Sequence, residues 1–131
     1  MNRSVEQAVE DIRRLFPSDT MDVEPDTNGG AFVTIHGIDL GSLYEPTTSF
    51  IGFHITFQYP HADVYPHFLV AGLKRKDEKP LGEGFHAGKE WKTPARTLPA
   101  TMVSRRSNHL NPAIDTAATK LQKVLEWIRN R

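Results

Sequence analysis

Chemistry-bearing side chains crowd one stretch of this chain. Between Thr101 and His109 lie three hydroxyls (Thr101, Ser104 and Ser107), two guanidinium groups (Arg105 and Arg106), the amide of Asn108 and the imidazole of His109. The chain has no cysteine, which removes thiol catalysis, disulfides and thiolate metal sites together. A hydroxyl can act as a nucleophile in place of a thiol, but it is barely ionised at neutral pH and needs a neighbouring base. Six histidines are present. His61, Asp63 and His67 sit close together around two Tyr-Pro pairs, but Pro60 and Pro66 give no regular scaffold for a tetrahedral ion, so no metal site is assigned. His36 and His54 fall on strand-like segments and are expected to be packed or hydrogen-bonded. Gly82-Glu83-Gly84 lacks the following helix and the lysine of a phosphate-binding loop, so no nucleotide cofactor is expected.

The elements that must position these groups are read from periodicity. Val5, Ala8, Val9, Ile12, Leu15 and Phe16 recur at helical spacing, with Ser4 as the cap and Pro17 as the stop. Met21 to Glu24 and Ala31 to Ile38 read as strands joined through Asn28-Gly29-Gly30, a hairpin signal. Ile51, Phe53, Ile55, Phe57 and Tyr59 alternate with Phe50, Gly52, His54, Thr56 and Gln58, the strongest strand pattern in the chain. His67 to Leu73 gives a fourth strand, so the expected core is a four-stranded antiparallel meander. Lys74 to about Pro99 reads as a long polar loop with Leu81, Phe85, Trp91 and Leu98 as anchors, and loops of that length usually carry function. Thr101 to Ser104 reads as extended. Asn111-Pro112 reads as a helix start, followed by an apolar face from Ile114 through Ala117, Ala118, Leu121, Val124, Leu125 and Ile128, with Trp127 as an anchor.

With 131 residues, 38% apolar and 24% charged, the chain is expected to form a single α+β domain spanning 1–131. Its 16 basic residues cancel its 16 acidic ones, so no nucleic-acid partner is expected. No apolar run approaches the roughly 20 residues that span a bilayer, and the start MNRSVEQAVED has no apolar signal region. No membrane association and a cytoplasmic location are the expectation.

The order of segments and several local words resemble the ubiquitin-conjugating enzyme family. Asp22-Val-Glu-Pro25 is similar to the family's first-strand word. Ile55-Thr-Phe-Gln-Tyr-Pro60 with Tyr65-Pro66 resembles its strand and Tyr-Pro turn, and Leu110-Asn-Pro-Ala-Ile114 its post-active-site helix opening. The Ser104-Arg-Arg-Ser107-Asn-His109 pattern resembles divergent bacterial members encoded beside ubiquitin-like proteins and activating enzymes. The family's His-Pro-Asn is missing, with His86-Ala87-Gly88 as the nearest echo, and its catalytic cysteine would fall near Met102.

The resemblance implies a ubiquitin-conjugating-enzyme-like fold: N-terminal helix, four-stranded antiparallel meander, long active-site loop, C-terminal helix. It implies acyl transfer in a bacterial pathway, with a ubiquitin-like protein and an activating enzyme as partners and no cofactor. Ser104 is the first-ranked nucleophile, then Thr101, then Ser107, with His86 or His109 as base and Asn108 as amide donor. Arg105 and Arg106 would meet an acidic partner or the oxyanion, and Arg13 and Arg14 on the first helix would meet the activating enzyme. Three alternatives stand beside this. Hydroxyls in loops commonly serve local hydrogen bonds and arginines are commonly solvated. A catalytically inactive variant would keep the fold as a binding module for a ubiquitin-like protein. An unrelated α+β domain would share the layout alone, which assigns no function.

Overall fold

Both helices follow from apolar stripes at a 3.6-residue period, which must be buried against something. The computed structural model describes residues 1–16 and 20–131. Among these residues the chain order is α1 (Arg3–Leu15), β1 (Met21–Pro25), β2 (Ala31–Asp39), β3 (Tyr44–Glu45), β4 (Thr48–Ile55), β5 (His67–Val70), β6 (Lys74–Arg75), β7 (Phe85–Lys92), β8 (Thr97–Val103) and α2 (Ala117–Arg129). The fold is α+β. A six-stranded antiparallel sheet runs β1-β2-β4-β5-β8-β7, and β3 pairs with β6 apart from it. The expected meander is present as β1, β2, β4 and β5, extended by the β7-β8 hairpin.

On one side of the sheet Val33, Ile35, Ile51, Phe53, Leu69 and Val103 form a continuous core with Val5 and Ile12 of α1 and Leu121, Val124 and Ile128 of α2. Each such side chain contributes on the order of 2 kcal/mol when fully buried, so the sheet holds both helices mainly through this layer. Tyr44 adds a polar tie, its hydroxyl donating to the Ile128 carbonyl at 2.6 Å.

The opposite face is closed differently. Residues directly across a ladder share a face, so Asp22, Thr34, Gly52, Phe68, Met102 and His86 form one row across it. The distal half of the β7-β8 hairpin folds back over this row. Trp91 donates its indole N–H to Thr34 Oγ1 at 2.9 Å, and Phe68 stacks on its ring at 5.2 Å. At the hairpin tip the Ala95 N–H donates to Glu24 Oε1 at 2.8 Å and Arg96 donates to Asp22 Oδ2 at 3.1 Å. One edge strand therefore reaches across to the other. His36 bonds Asp22 at 2.8 Å and His54 bonds Asp26 at 2.6 Å, so both strand histidines are hydrogen-bonded as expected.

Several sequence expectations are corrected. The segment from Lys74 to Pro99 is no long loop, since it contains β6, β7 and the start of β8. β7 is an edge strand exposed continuously from His86 to Glu90, so no alternation betrayed it. The strand through Tyr59 ends at Ile55, and Phe57 lies 51% exposed in the following turn. β5 stops at Val70, short of Leu73. The first helix is capped by Asn2, whose side chain accepts the Val5 N–H at 2.9 Å, and not by Ser4. Its expected stop, Pro17, lies outside the described residues. Asn111-Pro112 opens only a turn, in which the Asn111 carbonyl accepts the Ile114 and Asp115 N–H groups. α2 begins at Ala117, capped by a Thr116–Thr119 capping box, and Ile114 is 69% exposed, off the apolar face. No helix of the described residues is long and apolar enough to cross a membrane.

Candidate functional site

After Val103 the chain leaves the sheet and crosses towards α2, and the Ser104 N–H donates back to the Gly84 carbonyl at 2.7 Å. The Tyr-Pro turns lie on its other flank. The Tyr59 hydroxyl accepts the Ala117 N–H at 3.0 Å, filling one of the unpaired donors at the start of α2. This brings Asp63, between the two turns, against residues 104–108 and the buried face of α2.

Lys120 is the hub. It falls on the apolar stripe of α2 and is 8% exposed, an unusual place for a lysine unless its charge is met. Its ammonium donates to Asp63 Oδ2 at 3.0 Å, Asp63 Oδ1 at 3.1 Å and Ser107 Oγ at 2.8 Å. Three N–H donors thus meet three acceptor atoms. Asp63 also accepts the Ser107 N–H at 2.7 Å and the Ser107 hydroxyl at 2.8 Å. Burial acts to raise the Asp63 carboxyl, but the Ser107 N–H, the Lys120 ammonium and the Ser107 hydroxyl outweigh it and hold it below the ordinary carboxylate range. His67 lies in the adjoining core, fully buried against Phe53 at 5.2 Å, with neither ring nitrogen partnered. Burial first, then the nearby Lys120 charge, push its pKa down to about 3, with Asp63 opposing. It is a neutral imidazole.

A cleft of about 190 Å³ opens over this triad, lined among others by Arg105, Arg106, Ser107, Asn108, Lys123 and Trp127. The two arginines are held by rings: Arg105 lies over Trp127 at 4.6 Å and Arg106 over Tyr65 at 4.1 Å.

The candidate hydroxyls occupy three different settings. Thr101 is buried in β8 on the helix side, where its Oγ1 donates to the Val70 carbonyl at 3.0 Å. Ser104 Oγ accepts the Tyr65 hydroxyl at 3.2 Å. Ser107 belongs to the Asp63–Lys120 cluster. His86 is exposed on β7 opposite Met102, and His109 is exposed in the turn beyond Asn108, with a φ of 56°. Among the described residues neither imidazole bonds any of the three hydroxyls. Asn108 is exposed at the cleft rim. Arg13 and Arg14 lie apart on α1, in exposed pairs with Glu10 at 3.7 Å and Asp11 at 3.1 Å. His61, Asp63 and His67 form no ligand set, and among the described residues no group of three or more acidic or histidine side chains could hold a metal ion.

Sequence reasoning missed Lys120 and gave Asp63 the wrong partner set. The signal for Lys120 was present: it follows Ala117 by three residues and precedes Val124 by four, so a helix places its charge on the apolar stripe. Nothing local marks Asp63 as its partner. No protein-family model, no curated protein and no solved structure matches this chain.

Proposed function

We propose that this chain is a ubiquitin-conjugating-enzyme-like domain of a bacterial, cytoplasmic ubiquitin-like conjugation pathway. It holds a ubiquitin-like protein, or presents it to an activating enzyme, without carrying it as an acyl adduct. The family assignment rests on resemblance: the order of helix, meander, Tyr-Pro turns and C-terminal helix, and the words Asp22-Val-Glu-Pro25 and Leu110-Asn-Pro-Ala-Ile114. The choice of binding over acyl transfer rests on one observation. Around the position where the family places its nucleophile, no hydroxyl among the described residues is hydrogen-bonded to an imidazole, and the one that bonds a possible base, Ser107, donates to an ion-paired carboxylate held in its ionised form. A carboxylate of lowered pKa is a weak base for a hydroxyl.

A second reading is favoured by a specific contact, Lys120 Nζ at 2.8 Å from Ser107 Oγ. An ammonium there would stabilise a developing alkoxide, so Ser107 could attack the thioester carbonyl of a charged ubiquitin-like protein, its proton passing to Asp63 and the activating enzyme's sulfur leaving as a thiolate. Intact mass spectrometry separates the two. The chain is mixed with an activating enzyme, its ubiquitin-like protein and ATP, with and without hydroxylamine. The binding reading expects a complex in native conditions and an unchanged mass in denaturing ones. A hydroxylamine-labile mass increase that disappears in Ser107→Ala would replace it with the oxyester reading, and absence of any complex would remove both.

A further inference from the structure

Arg105 and Arg106 are the cleft cations that no carboxylate among the described residues meets. Lys120 is bound to Asp63, and Lys123 lies 3.9 Å from Asp115. Neither guanidinium faces a carboxylate among the described residues; each lies instead over an aromatic ring. Stacking holds a guanidinium plane while leaving its N–H edge available to a ligand. The platform under Arg105 is itself fixed, because Trp127 stacks on Phe85 at 5.1 Å. Gly84 makes room for that ring: a Cβ there would lie 2.8 Å from it, and the φ of 92° favours glycine as well. The ring contacts restrict the two otherwise exposed arginines before any ligand arrives, which lowers the cost of binding. In a chain with a net charge of zero, this is a concentrated positive site on a concave surface.

We propose that the cleft binds the free C-terminal carboxylate of an extended peptide tail, with Arg105 and Arg106 as its ion-pairing residues. The planar fork of arginine matches a carboxylate in a bidentate manner. At about 190 Å³ the cleft is below the roughly 300 Å³ at which drug-sized pockets begin. It has room for a carboxylate and the residue that carries it. Ser107 and Asn108 supply polar atoms along the rim. The inference rests on the reading that this domain holds a ubiquitin-like protein, and it adds which segment is held. It also adds a discrimination: a tail whose carboxylate has been consumed in a thioester or amide lacks the group that the arginines recognise.

The test is an amide chemical-shift titration of the full chain with triglycine, with triglycine amide and with inorganic phosphate. Triglycine should shift the Ser107, Asn108 and Lys123 amides saturably. Its amide should bind at least tenfold more weakly, and so should Arg105→Ala and Arg106→Ala towards triglycine, tenfold being 1.4 kcal/mol. Arg106→Lys, which keeps the charge but not the fork, should also weaken binding while leaving the rest of the spectrum native. Equal shifts with the amide, shifts centred elsewhere, or phosphate binding more tightly than triglycine would each overturn the proposal. Its failure is distinguishable from that of the functional reading. If a ubiquitin-like protein binds as well after its tail is removed, the tail site is wrong and the binding module stands. If triglycine binds through the arginines and no ubiquitin-like protein does, the reverse holds.

Discussion

The indole of Trp91 fills the space that a side chain on Gly52 would need. A Cβ at position 52 would lie 2.5 Å from the indole nitrogen and from Cε2, so a strand residue without a side chain and a tryptophan from the far edge of the sheet are a matched pair. Trp91 is only 4% exposed, although it comes from a strand otherwise open to solvent. Gly52→Ala should therefore cost about 1–3 kcal/mol by overpacking. Trp91→Ala should cost about 3–5 kcal/mol through the lost burial and cavity. Urea unfolding checks both. The matched-pair account adds a stricter expectation: in a Trp91→Ala background, Gly52→Ala should be nearly neutral or stabilising. If the two losses simply add, the indole does not limit position 52.

The ion pair between Lys120 and Asp63 makes a different prediction, because its two charges are worth most as a set. Asp63→Asn leaves the buried Lys120 ammonium without its carboxylate, which costs about 3–5 kcal/mol, whereas Lys120→Met leaves a half-buried carboxylate that keeps both Ser107 bonds and costs less. Asp63→Asn should lower the melting temperature by about 10 °C or more, from the entropy scale of a domain of this size, and Lys120→Met by less. The double variant Lys120→Met with Asp63→Leu should recover much of that loss. Thermal melts of the three variants decide it, and a double variant no better than the worse single one would show that Ser107 and its loop, not the pair, carry the stability.

Legibility from sequence tracked whether a residue's neighbours were near in the chain. Val5, Ala8, Val9 and Ile12 announced α1, and the alternation from Phe50 to Ile55 announced β4, because each pattern records one buried face. The β7-β8 hairpin left no such record. Its outer strand faces water from His86 to Glu90, and that strand's single buried side chain, Trp91, packs on β2, β4 and β5. Asn111-Pro112 carried a proper helix-start signal, yet Thr116, stabilised by Thr119 and by the long-range Tyr59 hydroxyl bond at Ala117, took the cap. The candidate site divides in the same way. Segment 104–108 was legible from its side-chain types, whereas the Asp63–Lys120 pair that organises it spans 57 positions, and only the misplaced charge on the α2 stripe hinted at it.

His67 makes the last prediction one of pH. Its ring is wholly buried, neither nitrogen has a partner, and the folded chain holds its pKa down to about 3 against 6.5 when unfolded. The unfolded chain therefore binds a proton that the folded chain refuses, and stability falls as pH drops below the unfolded value. Full stability is present above about pH 6.5, and each further unit of acid costs about 1.4 kcal/mol until the folded pKa is reached. From pH 7 to pH 5 the loss should be roughly 2 kcal/mol. Asp63 and Asp26, both held below the ordinary carboxylate range, act in the same direction but only at lower pH. Urea unfolding at the two pH values measures the slope, and His67→Leu provides the comparison. That variant shifts overall stability by repacking against Phe53, so the quantity to read is the pH dependence. It should flatten by about the stated amount, and an unchanged slope would assign the acid sensitivity to other groups.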